Sequence, residues 1–275
     1  MSERKTIETG RNLLAATAVA LGLGAIVIVT LLTVKVLFLA FVAIIVGAGL
    51  WELNHALSTR EIKLPVIPIA VGGATMYALG YWRGPLAVLA TLGLAFILIL
   101  AFRLSGGAAG FVRDVTAGSF VLLYLPTAAT FVALMLAAHD GAHRALLFLI
   151  LAVCADTGAY FSGILFGRHP MAPKISPKKT WEGLAGSVVL CLAAGTLGMT
   201  LLLHSKVWYG LVLGAAAVTA ATLGDLVESM IKRDLDTKDM SSILPGHGGV
   251  LDRIDAMLVV APVAWLLMTI FLGRR

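Results

Sequence analysis

The sequence predicts an all-α, polytopic integral membrane bundle of about nine transmembrane helices. Three observations lead there: 59% of the residues are hydrophobic, only 13% are charged, and the apolar residues gather into runs of helical span length. A water-soluble domain of 275 residues would carry too few charges to keep such a surface dispersed, so lipid is the solvent. A hydrocarbon core about 30 Å thick takes about 20 helical residues, which suits runs such as Leu13–Leu32 and Phe120–Ala138. A transmembrane barrel would instead alternate over segments of about 10 residues.

From the N-terminus, Met1–Asn12 mixes Glu3 and Glu8 with Arg4, Lys5 and Arg11, and the apolar run behind it is too long for a signal peptide, so the segment is expected to stay. Residues 13–57 form one apolar stretch broken at Thr33 and Lys35. Its length of roughly 45 residues, at about 1.5 Å each, exceeds twice the core thickness, which demands a hairpin of spans 13–33 and 36–57. Further spans follow at 65–82, 86–102, 118–138, 145–166, 184–204, 207–230 and 256–272. Cys154 and Cys191 lie inside these runs, where a small buried hydrophobe is the ordinary role. Small-residue stretches such as Gly22-Leu23-Gly24 and Gly214-Ala215-Ala216-Ala217 suit close helix approach. Neither a repeat nor a linker divides the chain, so it reads as one membrane domain.

Charge sets the expected orientation. Of 21 Lys and Arg, 15 fall in the N-terminal segment and the loops after the second, fourth, sixth and eighth spans, and 6 fall on the other side. The positive-inside rule then places the N-terminus in the cytoplasm, the C-terminus outside, and the two longest polar loops, 167–183 and 231–255, in the cytoplasm. The net charge of +6 reads as topology rather than as affinity for nucleic acid.

Ionisable residues inside a span need a partner or a task, and Asp156, Asp225 and Glu228 stand out. Asp225, Glu228, Ser229 and Lys232 recur at i, i+3, i+4 and i+7, which puts them on one face of the eighth helix, a polar stripe about 10 Å long. A Glu228–Lys232 pair could simply end that helix, but it does not account for Asp225 a turn deeper. Asp156 serves equally well as an interhelical hydrogen-bonding residue. Downstream, Lys232, Arg233, Lys238, Asp239, His247, Asp252, Arg253 and Asp255 surround Pro245-Gly246-His247-Gly248-Gly249. Glycines let backbone approach an anion, and the cations suit phosphate oxygens. Because Mg²⁺ takes one or two carboxylates plus substrate phosphates, Asp225 with Asp252 or Asp255 is a suitable ligand set. In the other loop Ser176, Lys178, Lys179 and Thr180 precede a helix start, which suits a phosphate, although alone they read as an interfacial anchor beside Trp181. The sequence has neither a Walker-type loop nor a kinase catalytic loop. An ion pathway through the intramembrane acids is disfavoured, because they cluster at one end beside a basic loop.

Ser229-Met230-Ile231-Lys232-Arg233, Lys238-Asp239 and Pro245-Gly246-His247-Gly248-Gly249-Val250-Leu251-Asp252-Arg253-Ile254-Asp255 together resemble the signature of the phosphatidate cytidylyltransferases, without a departure. The resemblance extends upstream through Cys154–Tyr160, Phe166–Arg168 and Ile175–Gly183. Farther toward the N-terminus it loosens: Trp51-Glu52 is similar to an aromatic–acidic pair of that family, Leu53 stands where a second Trp is common, and the region is assigned no chemistry. The resemblance implies a homodimeric helical bundle in a bacterial inner membrane, with a cavity open to cytoplasm and lipid. Residues 1–145 then supply packing and dimer contacts, 146–257 the catalytic region and 256–272 a closing span. The implied reaction is attack of a phosphatidate phosphate oxygen on the α-phosphorus of CTP, with Mg²⁺ and room for a second, monovalent cation such as K⁺. Asp225, Asp252 and Asp255 are the implied metal ligands, and with Ser229 and Lys232 the catalytic set. Ser176, Lys178, Lys179, Thr180, Arg233, Lys238, Asp239, His247 and Arg253 are the implied substrate contacts. A phosphate monoester is largely ionised at pH 7, so His247 is expected to contact substrate rather than act as a base. A CTP-dependent lipid-alcohol kinase is the neighbouring possibility, distinguished by transfer of the γ-phosphoryl group.

Overall fold

A computed structural model describes residues 22, 24–237, 239–241 and 248–273. Ten helices and one β-ribbon follow in order among them: α1 (Gly24–Thr33), α2 (Lys35–Ser58), α3 (Val66–Arg83), α4 (Pro85–Leu104), α5 (Phe111–Leu122), α6 (Ala128–Leu136), α7 (Gly141–Phe166), β1 (Pro170–Ala172), β2 (Ser176–Thr180), α8 (Trp181–Leu197), α9 (Val207–Asp234) and α10 (Leu251–Leu272). A π-helical turn, Leu123–Thr127, fuses α5 and α6 into one rod, and another, Gly198–Leu202, extends α8. Among the described residues seven rods are long and apolar enough to cross a membrane: α2, α4, α5–α6, α7, α8, α9 and α10. The protein is therefore an all-α polytopic membrane protein. Of the two other expected spans, α3 ends in Tyr81-Trp82-Arg83 and is less apolar, and the described part of the first, α1, is short. Large side chains such as Ile44, Leu86 and Leu165 stand exposed on the outside, as a lipid-facing surface requires.

Local chemistry explains the breaks. Val34 leaves helical geometry (φ −136°) between α1 and α2, and Lys35 sends its ammonium to the carbonyls of Leu136 and Ala138, both at 3.2 Å, at the C-terminal end of α6. A cation there suits the helix dipole and satisfies orphan acceptors. Pro126 cannot donate within the π turn, and the Thr127 hydroxyl binds the Leu122 carbonyl at 2.7 Å. The seam between α7 and α8 is tight at Gly158, where a Cβ would lie 2.6 Å from Ser187 Cα, and the Ser187 hydroxyl donates to the Ala155 carbonyl at 2.5 Å. Two apolar clusters fill the interior, and both draw on α2, α6 and α10; the first adds α7 and α9, the second α3, α4 and α5.

Helix bounds depart from the hydropathy runs where charge is buried or paired. The rod expected at 118–138 begins at Phe111, because Asp114 in its first turn is buried against Arg103 (2.8 Å) rather than solvated. At the other end of the chain α9 continues to Asp234 and α10 begins at Leu251 rather than at 256. Lys232, Arg233, Asp252, Arg253 and Asp255 consequently sit on helices, not on a loop. Within 167–183, β1 and β2 pair antiparallel, Pro170 opposite Thr180 and Ala172 opposite Ser176, so Lys178 and Lys179 project from a strand.

Candidate active site

The polar face of α9 meets the start of α10. Asp225 and Asp255 lie within electrostatic reach of each other where α9 and α10 pack closely, a Cβ on Gly224 falling 2.7 Å from the Asp255 carbonyl oxygen. Lys179 of β2 reaches across and donates its ammonium to Asp225 Oδ2, with both side chains about a quarter exposed (24% and 27%). Two turns along α9, Lys232 lies between Glu228 Oε2 (2.5 Å) on its own helix and Asp252 Oδ1 (3.0 Å) on α10. The Glu228 and Asp252 carboxyls thus flank one ammonium from the two helices. Glu228 is only 3% exposed, and its Oε1 has no donor among the described residues. Acids lie in pairs, each pair touched by one lysine.

Asp252 also organises backbone. Its Oδ2 accepts from Gly249 N–H at 2.7 Å and from Met240 N–H at 3.2 Å. Gly248, at φ +79°, turns the chain into α10, and a Cβ there would sit 2.8 Å from Asp252 Oδ2, so the turn requires glycine. Both Asp252 oxygens are therefore engaged.

A cavity of about 330 Å³ opens beside Asp225 and is walled by Asp156 and Tyr160 of α7, by Ser176, Lys178, Lys179 and Thr180 of the ribbon, and by α8. Asp156 lies within electrostatic reach of Asp225, Lys179 and Arg253. Thr180 does double duty, its hydroxyl accepting from Gly183 N–H at 3.1 Å as the N-cap of α8. Arg233, near the end of α9, donates Nε–H to the Ile175 carbonyl and so holds the ribbon to α9. Ser229 is half-buried on the α9 face, Lys178 is exposed, and Asp239 is exposed beside Gly248. Lys238 and His247 lie outside the described residues.

On the other side of α10 lies an apolar groove of about 480 Å³, lined by Phe38 and Val42 of α2, Leu146 and Cys154 of α7, and Met257 and Ala261 of α10, with Arg253 at one end. Arg253, Met257 and Ala261 are spaced i, i+4 and i+8, so the groove runs about 12 Å along α10.

Among the described residues no three His, Cys, Asp or Glu side chains converge as a finished metal site. The expected trio is not assembled: Asp225 and Asp255 are together, while Asp252 is occupied by Lys232 and backbone donors. The Asp225–Asp255 pair does fit a hard divalent cation, because two neighbouring carboxylates supply oxygen donors and a like-charge repulsion that a cation relieves. Glu52, which the sequence marks only as half of an aromatic–acidic pair without chemistry, is fully buried on α2 and binds the start of α10. Its signal was an acid within an otherwise apolar span, with no cation within four residues.

The sequence profile of the cytidylyltransferase family matches residues 14–271. Phosphatidate cytidylyltransferases of Mycobacterium bovis and Mycobacterium leprae are each 36% identical, over 97% and 98% of this chain and 91% of the relative. The phosphatidate cytidylyltransferase of Bacillus subtilis is 44% identical over 117 residues, 42% of this chain and 44% of its own. The chain belongs to the cytidylyltransferase family.

Proposed function

We propose that this cytidylyltransferase joins CTP to phosphatidate, forming CDP-diacylglycerol and pyrophosphate, the reaction for which its relatives are named. One observation carries the reading: a polar, lysine-walled cavity and an apolar groove flank the same acidic helix pair. A nucleotide suits the first and acyl chains the second. Arg253 lines the groove and is within electrostatic reach of Asp156 in the cavity, so the two substrates' phosphates would meet between them.

A phosphatidate oxygen attacks the α-phosphorus of CTP. The new P–O bond forms as the bond from the α-phosphorus to the bridging oxygen breaks, and its electron pair leaves on pyrophosphate. Both reactants are anions, so the chain's task is alignment and charge neutralisation. Lys178 and Lys179 present ammonium groups along the cavity wall, and Asp225 holds that of Lys179 in place. Arg253 offers a guanidinium at the head of the groove for the lipid phosphate. Lys232 bridges α9 to α10, which keeps the acids of the two helices at fixed relative height. Asp225 and Asp255 are the residues that would hold Mg²⁺, which when bound neutralises phosphate oxygens. Asp252 is better cast as the organiser of the turn into α10.

The reading extends to nine spans, a cytoplasmic N-terminus and an external C-terminus, supported by the distribution of 15 against 6 basic residues. It puts the cavity on the cytoplasmic side by the same charge distribution, and the bacterial relatives support a bacterial inner membrane. The homodimer rests on the family resemblance alone. Purified protein given α-labelled CTP, phosphatidate and Mg²⁺ is expected to move label into lipid and release pyrophosphate, and to stop when EDTA is added. Release of CDP with unlabelled lipid would overturn the assignment in favour of a kinase.

A further inference from the structure

Glu52 is 0% exposed, yet its hydrogen-bond partners among the described residues are neutral donors. Oε1 accepts from Val250 N–H at 2.8 Å and from the Ser241 hydroxyl at 2.5 Å, and Oε2 accepts from Leu251 N–H at 2.8 Å. Val250 and Leu251 open α10, so their N–H groups are orphan donors at the positive end of its dipole. A carboxylate from α2, 199 residues away in the chain from Leu251, therefore caps α10 from outside. The fit is close: a Cβ on Gly249 would lie 2.9 Å from Glu52 Oε1. Asp252 takes the neighbouring Gly249 N–H from within the helix, and the two acids share the donors of one turn.

What that turn carries is the chemistry. Arg253 and Asp255 follow within four residues of Leu251, and Asp255 packs on α9 beside Asp225, where a Cβ on Gly224 would lie 2.7 Å from the Asp255 carbonyl oxygen. One residue of slippage would rotate α10 by about 100° and take Asp255 off its partner. We propose that Glu52 is a positioning residue for this reaction: its buried carboxylate fixes the rotation and height of α10 so that Asp255 meets Asp225. The kinetic half of this inference rests on the cytidylyl-transfer reading, whereas the geometric half does not.

Two measurements separate them. In detergent, Glu52→Gln is expected to lower kcat by about 30-fold and to raise the Mg²⁺ concentration for half-maximal rate several-fold, with KM for phosphatidate within twofold of wild type. Such a split is what displaced metal-side groups produce and what a general loss of folded protein does not. Ser241→Ala, which removes one of the three bonds, is expected to show the same pattern at two- to fivefold, and decides the matter if Glu52→Gln does not accumulate. Separately, Asp225→Cys with Asp255→Cys, in a background with Cys154 and Cys191 replaced by Ala, is expected to form a disulfide rapidly under a mild oxidant, and at least tenfold more slowly when Ser241→Ala or Glu52→Gln is added. Unchanged kinetics together with an unchanged cross-linking rate overturns the inference. Slowed cross-linking in a protein whose wild type makes no CDP-diacylglycerol sinks the reaction and leaves the role of Glu52 standing.

Discussion

At the start of α5, acid meets base: Asp114 is 0% exposed and receives Arg103 Nε at 2.8 Å, Arg113 Nε at 3.2 Å and Lys63 N–H at 3.2 Å. Across α9 and α10, acid lies near acid, with Asp225 within electrostatic reach of Asp255 and with Glu228 and Asp252 on one lysine. Arg103 uses its remaining nitrogens on the carbonyls of Gly107 and Ala109, at 3.2 and 2.7 Å, so the first site is a closed clamp on the α4–α5 connection. The second leaves Glu228 Oε1 without a donor among the described residues and, at Asp225, opens onto a cavity. Burying like charges together is costly and serves no packing purpose that an Arg–Asp pair would not serve better. The difference teaches where to look for function in a bundle like this one: at the acids that the protein itself leaves incompletely balanced.

Substitutions can break that contrast, and Asp225→Asn is expected to have the largest effect. It should cut turnover by on the order of 10²–10³-fold while expression and melting temperature in detergent stay near wild type, the size seen when a group that stabilises transition-state charge is lost. Wild-type activity in that variant would remove Asp225 from the site. Asp114→Asn should do the reverse, lowering stability by about 3 kcal/mol because it strands a buried guanidinium, with activity per folded molecule unchanged. Thermal unfolding followed beside specific activity checks both halves of that statement.

A smaller effect is expected on the cavity wall. Lys178→Ala with Lys179→Ala should raise KM for CTP about tenfold, in line with loss of a charge-assisted hydrogen bond, and unchanged KM for both substrates would take the ribbon out of the site. Smallest of all is Asp236→Ala. Its pair with Arg60 is 2.5 Å long but 85% and 42% exposed, so stability should change by less than about 1 kcal/mol. A larger loss would mean that exposed pairs hold this bundle together and would blur the contrast drawn above.

Much of the site could be read in advance because helical period is local. The spacing of Asp225, Glu228, Ser229 and Lys232 placed them on one face of α9, where they are found. The break expected at Thr33–Lys35 is present as well, with Val34 out of helical geometry and Lys35 anchored to the end of α6, while most of the first span lies outside the described residues. Helix ends were misjudged wherever a charged residue is buried by a partner distant in sequence, as at Asp114 and Asp252. Hydropathy counts such residues as loop. The role of Glu52 is hidden for the same reason: two of its partners are backbone N–H groups almost 200 residues away, and backbone leaves no mark in the residue letters.

By itself, then, the sequence determined the solvent, the helical class, the family and the polar face of α9, all of which follow from composition, from a 3.6-residue period and from a long local motif. Tertiary structure alone decided which acids lie near which: Asp225 near Asp255, Glu228 and Asp252 on one lysine, and Glu52 at the first turn of α10. The physical reason is that a helix's rotation about its own axis is set by the neighbours it packs against, and a turn of about 100° per residue redirects every side chain it carries.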